Sequence, residues 1–213
     1  MNQADNKPIF LIGSGGHASV LEEIISLTDK KLLGILDPNR KPGEECLNSV
    51  VLGGDELIDE YLPEDISLVN GVGTLPGNNK RTEISKKYRE KGFSFSTLIH
   101  PSAVLSSEVE IEEGVQIMAG TIIQPGTRIG SNTIINTKTS IDHDCTIGDH
   151  VHVAPGTTIN GSVQVDNGVL IGTGATLLQT VKIGENSIIG AGALVLNDVP
   201  NDVKMLGVPA KLV

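Results

Sequence analysis

A histidine flanked by two carboxylates, Asp142-His143-Asp144, is the segment of this chain best equipped to move a proton. Imidazole titrates near neutral pH, so it can take a proton from an attacking amine or hydroxyl. A carboxylate beside it can orient the ring and stabilise the imidazolium that forms. Asp142 and Asp144 both qualify, and adjacency in sequence does not choose between them. Cys145 follows directly, and His150 and His152 lie close behind. Three histidines so near one another invite a zinc reading, but His150 falls in a turn and His152 on a flat side. Ligands of a catalytic zinc must converge tetrahedrally, and this spacing does not bring that about, so no metal is expected. A second cluster, Gly13-Ser14-Gly15-Gly16-His17, follows an apolar run and precedes a helical pattern. Free backbone N–H groups at a strand-to-helix junction favour a phosphate. Asp37 ends the next apolar run, where an acidic side chain can read a ribose or a base. The loop is not a GxGxxG fingerprint, and a purely structural glycine turn is the competing reading.

Two segments of different composition must position these residues. The chain has 213 residues, and its five aromatics (Phe10, Tyr61, Tyr88, Phe93, Phe95) all precede residue 98. The break is expected near Thr97–Pro101, giving domains 1–98 and 99–213. In the first, Pro8–Ile12, Leu32–Leu36 and Ile66–Asn70 read as strands. Helical spacing follows Gly16, continues over Asp55–Leu62, and recurs over Lys80–Lys91 until Gly92 stops it. Strand–helix alternation predicts a small Rossmann-like α/β unit with a parallel sheet, too short for a complete six-strand dinucleotide fold.

The second segment is a repeat. From Ala103 to Asp198 the chain divides into sixteen consecutive hexads without an insertion, and the third position of each is Leu, Ile or Val. The first position is always small or β-branched. In an extended strand these two positions point the same way and the second points outward. A short turn then makes one side of a coil, and three sides close a prism of 18 residues per coil. Gly130, Asn132, Gly148, Asn160, Gly172, Gly184 and Gly190 are expected to supply the turn positions that tolerate positive φ. On this frame His143 sits at a prism corner, and Gly161, 18 residues later, stands directly above it. His152 faces outward half a coil away, too far to share a site with His143 within one prism. The two can meet only if copies pack side by side, so the spacing asks for an oligomer. Cys145 opens a hexad at an inward position and makes a poor nucleophile. Glu108, Glu110, Glu112 and Glu113 read as a solvated first coil, and His100 as a junction residue.

The repeat, with the closing Gly207-Val208-Pro209-Ala210-Lys211, resembles the hexapeptide-repeat acyltransferases built on a left-handed parallel β-helix. The Gly13–Ala18 loop and the Ile141–Cys145 segment narrow the resemblance to the sialic-acid O-acetyltransferase-like subfamily. That subfamily includes N-acetyltransferases acting on nucleotide-linked 4-amino-4,6-dideoxy sugars. The resemblance runs from about Lys7 to Leu212. It implies the left-handed winding, which periodicity does not give, and acetyl-CoA as co-substrate. It implies a bacillosamine-type UDP-sugar as acceptor, with a sialic acid or GDP-perosamine as the alternatives. A non-catalytic nucleotide-sugar-binding protein is a more distant one. By the same resemblance His143 and Asp144 are catalytic, and Asn136, His152 and the Gly161 N–H contact acetyl-CoA. Gly13, Ser14, Gly15, Gly16, His17, Asp37, Gly73 and Arg81 then line the nucleotide sugar, with Gly73 and Arg81 near its diphosphate. A homotrimer with sites between subunits is implied as well.

Charge and hydropathy set the outer bounds. Sixteen basic against 26 acidic residues leave a formal charge of −10, which argues against nucleic acid as a partner. Apolar runs are short, so membrane insertion is not expected. Met1–Pro8 is polar and lacks a signal-peptide pattern. Cys46 and Cys145 form no CxxC or zinc-finger spacing. A cytoplasmic, reducing location is the expectation.

Overall fold

The computed structural model describes residues 7–46, 48–74 and 76–213. Most of the polar N-terminal segment named above, Met1–Asn6, lies outside them. The chain divides into two compact units, Met1–Leu98 and Ile99–Val213.

In the first unit β1 (Ile9–Ile12) leads into α1 (Gly16–Ser26) and β2 (Leu32–Leu36). Then come β3 (Glu45–Cys46), β4 (Ser49–Gly53), a 3-10 helix (Asp55–Glu60), β5 (Ser67–Asn70) and α2 (Lys80–Glu90). The sheet order is β3-β4-β2-β1-β5. Strands β4, β2, β1 and β5 run parallel, and the two-residue β3 is an antiparallel edge. Every residue of the central β1 and of β5 is buried, as expected of parallel strands covered on both faces. Helix α1 turns Ala18, Leu21, Ile24 and Ile25 into the core. The chain steps from β1 to β2 and β4 on one side and returns to β5 on the other. The carboxyl ends of β1 and β5 therefore flank a topological switch point, where open α/β sheets bind ligands.

The second unit is a parallel β-helix. Sixteen two-residue strands, from Val104–Leu105 to Leu194–Val195, recur at six-residue intervals. They pair with the strand 18 residues away, as in Ile123 with Ile141 and Ile141 with Ile159. Third-position residues from Ile117 to Val195 form one continuous aliphatic core. First-position threonines are fully buried without being orphaned. Thr127 Oγ1 donates to the Asp142 carbonyl (3.0 Å) and Thr133 Oγ1 to the Gly148 carbonyl (2.7 Å) in the next coil.

The turn chemistry differs from the expectation. Positive φ falls at the sixth position of the hexad, at Gly126, Asn132, Lys138, Asp144, His150, Gly156, Ser162 and Gly174 among others. Of the residues named for this role, only Asn132 has it. The fourth-position glycines answer a different need, close stacking of coils. A Cβ on Gly130 would lie 2.6 Å from the carbonyl carbon of Gly148, and one on Gly172 would lie 2.7 Å from that of Gly190. Real Cβ atoms do not approach backbone so closely, so these positions exclude a side chain by contact and not by φ. The acidic first coil is exposed, and Glu110 pairs with Arg128 at 3.0 Å on its outer face.

Candidate active site

The β-helix presents His143 on a turn held from both sides. The Asp144 N–H donates to the Pro125 carbonyl in the coil before (3.0 Å), and the His143 carbonyl accepts the Ser162 N–H from the coil after (2.9 Å). The competition between the two carboxylates is resolved by geometry. Asp142 Oδ1 caps the backbone N–H of His143 at 2.9 Å, while Asp144 Oδ2 lies 2.9 Å from the ring Nδ1. Asp144 holds the left-handed sixth position of its hexad (φ 58). The Asp144 hydrogen bond raises the His143 pKa above the ordinary imidazole value. The small cost of burial opposes this, and the charges of Asp142 and Asp144 add to the rise. With Nδ1–H donated to Asp144, the lone pair sits on Nε2, the tautomer a general base needs.

That nitrogen faces the next coil, where the chain carries no side chain. A Cβ on Gly161 would fall 2.7 Å from both Nε2 and Cε1 of His143. Gly161 thus keeps the space over the ring open. The open cavity here is about 530 Å³ and is lined by Asp142, His143, Asn160, Gly161, Ser162, Gln179 and Thr180. Cys145 lies beneath, fully buried. Its thiol donates to the Asn160 carbonyl at 3.2 Å, and burial pushes its pKa up. Both properties remove it from nucleophilic chemistry.

Asn136 and His152 form a separate pair on another face of the prism. The Asn136 Oδ1 accepts the Thr137 N–H at 2.8 Å, which turns its amide nitrogen toward His152 Nε2, 3.3 Å away. Since an amide nitrogen only donates, His152 Nε2 is the acceptor in this pair. The structure therefore joins Asn136 to His152, and His143 to Asp144 and Gly161. Among the described residues no group of three His, Cys, Asp or Glu side chains is placed to hold a metal ion.

In the α/β unit the loops after β1 and β5 lie against each other. Gly13 adopts φ +88 beside Val72, and a Cβ on Gly71 would meet the Ile12 carbonyl oxygen at 2.6 Å. Gly73 sits over the His17 side chain, where a Cβ would be 3.5 Å from the His17 Cβ. Gly15 is the N-cap of α1 and makes no side-chain cap bond, and the first turn holds no acidic residue. Nothing lies within 4 Å of a Cβ placed on Gly15 or Gly16. An uncrowded helix N-terminus of this kind suits an anion. Across the loop, Ser14 Oγ donates to Asp37 Oδ2 at 2.5 Å, and the Asn39 N–H donates to Asp37 Oδ1 at 2.9 Å. Arg40 Nε donates to Ser14 Oγ at 2.9 Å. Burial alone would raise the Asp37 carboxyl, but these hydrogen bonds and the Arg40 charge hold it below the usual carboxylate range.

Arg81 turns inward. Its side chain is buried (4% exposed), and Nη1 donates to the carbonyls of Asn70 and Val72, each at 2.8 Å. It grips the β5 loop from behind. A charged residue at the start of a helix gave no sign in sequence that it turns inward.

Comparison with known proteins agrees with both units. The PglD N-terminal domain family matches residues 8–88. The bacterial transferase hexapeptide (six repeats) family matches residues 108–141, 126–161 and 162–197. UDP-N-acetylbacillosamine N-acetyltransferase of Bacillus subtilis is 37% identical over 117 residues, 53% of this chain. That alignment spans 52%, about half, of the curated relative's own length. A mutant of perosamine N-acetyltransferase from Caulobacter crescentus, solved with CoA and GDP-perosamine, is 35% identical. It superposes with a TM-score of 0.87, covering 97% of this chain and 96% of that one. The acetyltransferase domain of PglB from Neisseria gonorrhoeae, solved with acetyl coenzyme A, is 31% identical with a TM-score of 0.89. Here 98% of this chain and 100% of that one are covered. With relatives this similar along nearly its whole length, the chain belongs to the hexapeptide-repeat acetyltransferases that join a PglD-type α/β unit to a left-handed parallel β-helix.

Proposed function

We propose that the protein transfers the acetyl group of acetyl-CoA to the 4-amino group of a UDP-linked 4-amino-4,6-dideoxy sugar of the bacillosamine type. The observation that carries the reading is one corner of the β-helix. There the His143 ring is held through Nδ1 by Asp144, with Nε2 turned to the bare backbone of Gly161. In this reading the sugar amine attacks the thioester carbonyl carbon, and His143 Nε2 takes the amine proton. Asp144 steadies the imidazolium, CoA leaves as thiolate, and the imidazolium returns the proton to sulfur. Backbone N–H groups beside Gly161 steady the oxyanion. Direct transfer is more economical than a covalent acyl-enzyme, because Cys145 is sealed in the core.

The loops after β1 and β5, with Asp37, hold the nucleotide diphosphate and its nucleoside in this account. Gly13, Ser14, Gly15, Gly16 and Gly73 present backbone and small side chains to it, and His17 adds its imidazole. Asn136 and His152 serve acetyl-CoA. Because they share a face that His143 does not, the reading requires neighbouring copies, and a homotrimer with the site between subunits satisfies it. A cytoplasmic location, where acetyl-CoA and nucleotide sugars are made, fits this chemistry. Among the described residues no helix is long and apolar enough to cross a membrane.

A GDP-linked 4-amino sugar is the second reading, favoured by 35% identity to the perosamine enzyme over 97% of the chain. CoA thiol release measured against UDP- and GDP-linked 4-amino sugars, free sialic acid and CMP-sialic acid tests both. Turnover confined to a UDP-linked 4-amino sugar is the expected result. Turnover on a GDP-sugar alone moves the reading to the second acceptor, and turnover on sialic acid alone overturns N-acetylation.

A further inference from the structure

The buried cluster at the N-terminus of α2 belongs to no catalytic step. Arg81 Nη1 bridges the carbonyls of Asn70 and Val72 at 2.8 Å each, closing a loop around Gly71. The Asn70 side chain completes the frame. Its Oδ1 accepts the Val72 N–H (3.1 Å), and its Nδ2 donates to the Arg81 carbonyl (2.9 Å) and to Ser85 Oγ (3.2 Å). Asn70 and Arg81 are 1% and 4% exposed. Burial draws the guanidinium pKa down to about 9, which still leaves it charged at neutral pH. A buried charge is costly unless its donors are satisfied, and here two of the acceptors are carbonyls of one short loop. That loop is pressed against the loop after β1. A Cβ on Gly71 would meet Ile12 O and the Ala18 Cβ, so the loop has one tight seat and no slack.

We infer that Arg81 is a positioning residue, which fixes the Gly71–Gly73 loop from behind so that its backbone is set to receive the nucleotide diphosphate. The inference rests on the nucleotide-sugar reading above and assigns Arg81 no contact with the ligand. Both bonds leave the one terminal nitrogen Nη1, held at the end of a planar group that the shorter, flexible stem of a lysine does not reproduce. Charge in itself is not the property used.

The expected effect follows from conformational selection. If loss of these two bonds leaves the loop correctly seated about a tenth of the time, apparent affinity falls roughly tenfold. The test uses the full-length protein with Arg81→Met and Arg81→Lys. KM for the nucleotide sugar and for acetyl-CoA, UDP binding by calorimetry, thermal stability, and hydrogen exchange of the Gly71–Gly73 amides without ligand are measured for each. The expected result is a roughly tenfold rise in nucleotide-sugar KM with acetyl-CoA KM unchanged. The ligand-free loop amides exchange faster in both variants, and Lys fails to restore wild-type behaviour. A nucleotide KM that rises while loop exchange stays at the wild-type level means direct contact and overturns the inference. So does full rescue by Lys, or a parallel rise in both KM values. If Met does not fold, Lys carries the test. If wild type binds no nucleotide at all, the functional reading fails, and the exchange measurement still judges the brace.

Discussion

Replacing Gly161 by alanine puts one methyl group where the structure leaves none. The added Cβ would lie 2.7 Å from Nε2 and Cε1 of His143 and 3.3 Å from Cδ2. Non-bonded carbon contacts settle near 3.5–4.0 Å, so the ring must retreat by about 1 Å. His143 is exposed and can swing toward solvent, and Gly161 does not use positive φ. The fold therefore bears little of the cost, and alanine at a φ it can adopt even reduces unfolded-state entropy. The cost falls on the reaction. Retreat stretches or breaks the 2.9 Å bond to Asp144 and displaces the nitrogen that takes the proton. A misplacement of this size costs about 10²-fold in rate. The assay is steady-state thiol release on the accepted sugar, with a thermal melt on the same sample. The expected outcome is kcat down about 10²-fold with the melting temperature unchanged or slightly higher. A variant with near-wild-type kcat refutes the claim that His143 reacts from the position observed. A collapse in stability refutes the claim that Gly161 serves the site and not the fold.

Two further outcomes follow from named contacts. The catalytic form of His143 is the neutral ring, so activity rises with pH through its pKa. Asp144→Asn removes the largest cause of the upward shift, so the acid limb of kcat/KM moves to lower pH. The plateau falls by about 10² as the imidazolium loses its counter-charge. A pH–rate profile checks both, and a limb that stays put or moves up contradicts the assignment. In the prism, Gly172→Ala forces two coils apart and costs about 1–3 kcal/mol of stability. Gly174→Asn, at φ +68 with nothing within 4 Å, is close to neutral because asparagine accepts the left-handed region. Chemical denaturation reads both, and equal effects at the two sites refute the division between contact and φ.

The β-helix was legible because one rule repeats sixteen times. An aliphatic residue at the third position and a small one at the first leave a chain few ways to close except a prism. His143 at a corner under Gly161 follows from the same count of 18. The turns were less legible, since glycine answers both positive φ and close approach, and composition does not tell the two apart. Only the coil above Gly172 reveals which demand it meets. The choice between Asp142 and Asp144 was not legible, because two flanking carboxylates are alike in sequence until one caps the His143 backbone N–H and the other meets the ring. The inward turn of Arg81 was not legible, because nothing in a charged helix marks which side chain finds buried carbonyl partners.

The central claim is that His143 Nε2 takes the proton of the acceptor amine. Thiol release by His143→Ala, at saturating acetyl-CoA and with an acceptor that wild type uses, tests it most directly. Calorimetry of both substrates on the same variant shows that the site still fills. The account predicts intact binding with kcat lowered by 10² to 10⁴, the range a positioned base supplies. A variant that binds both substrates and keeps kcat within about threefold of wild type, far inside that range, contradicts it.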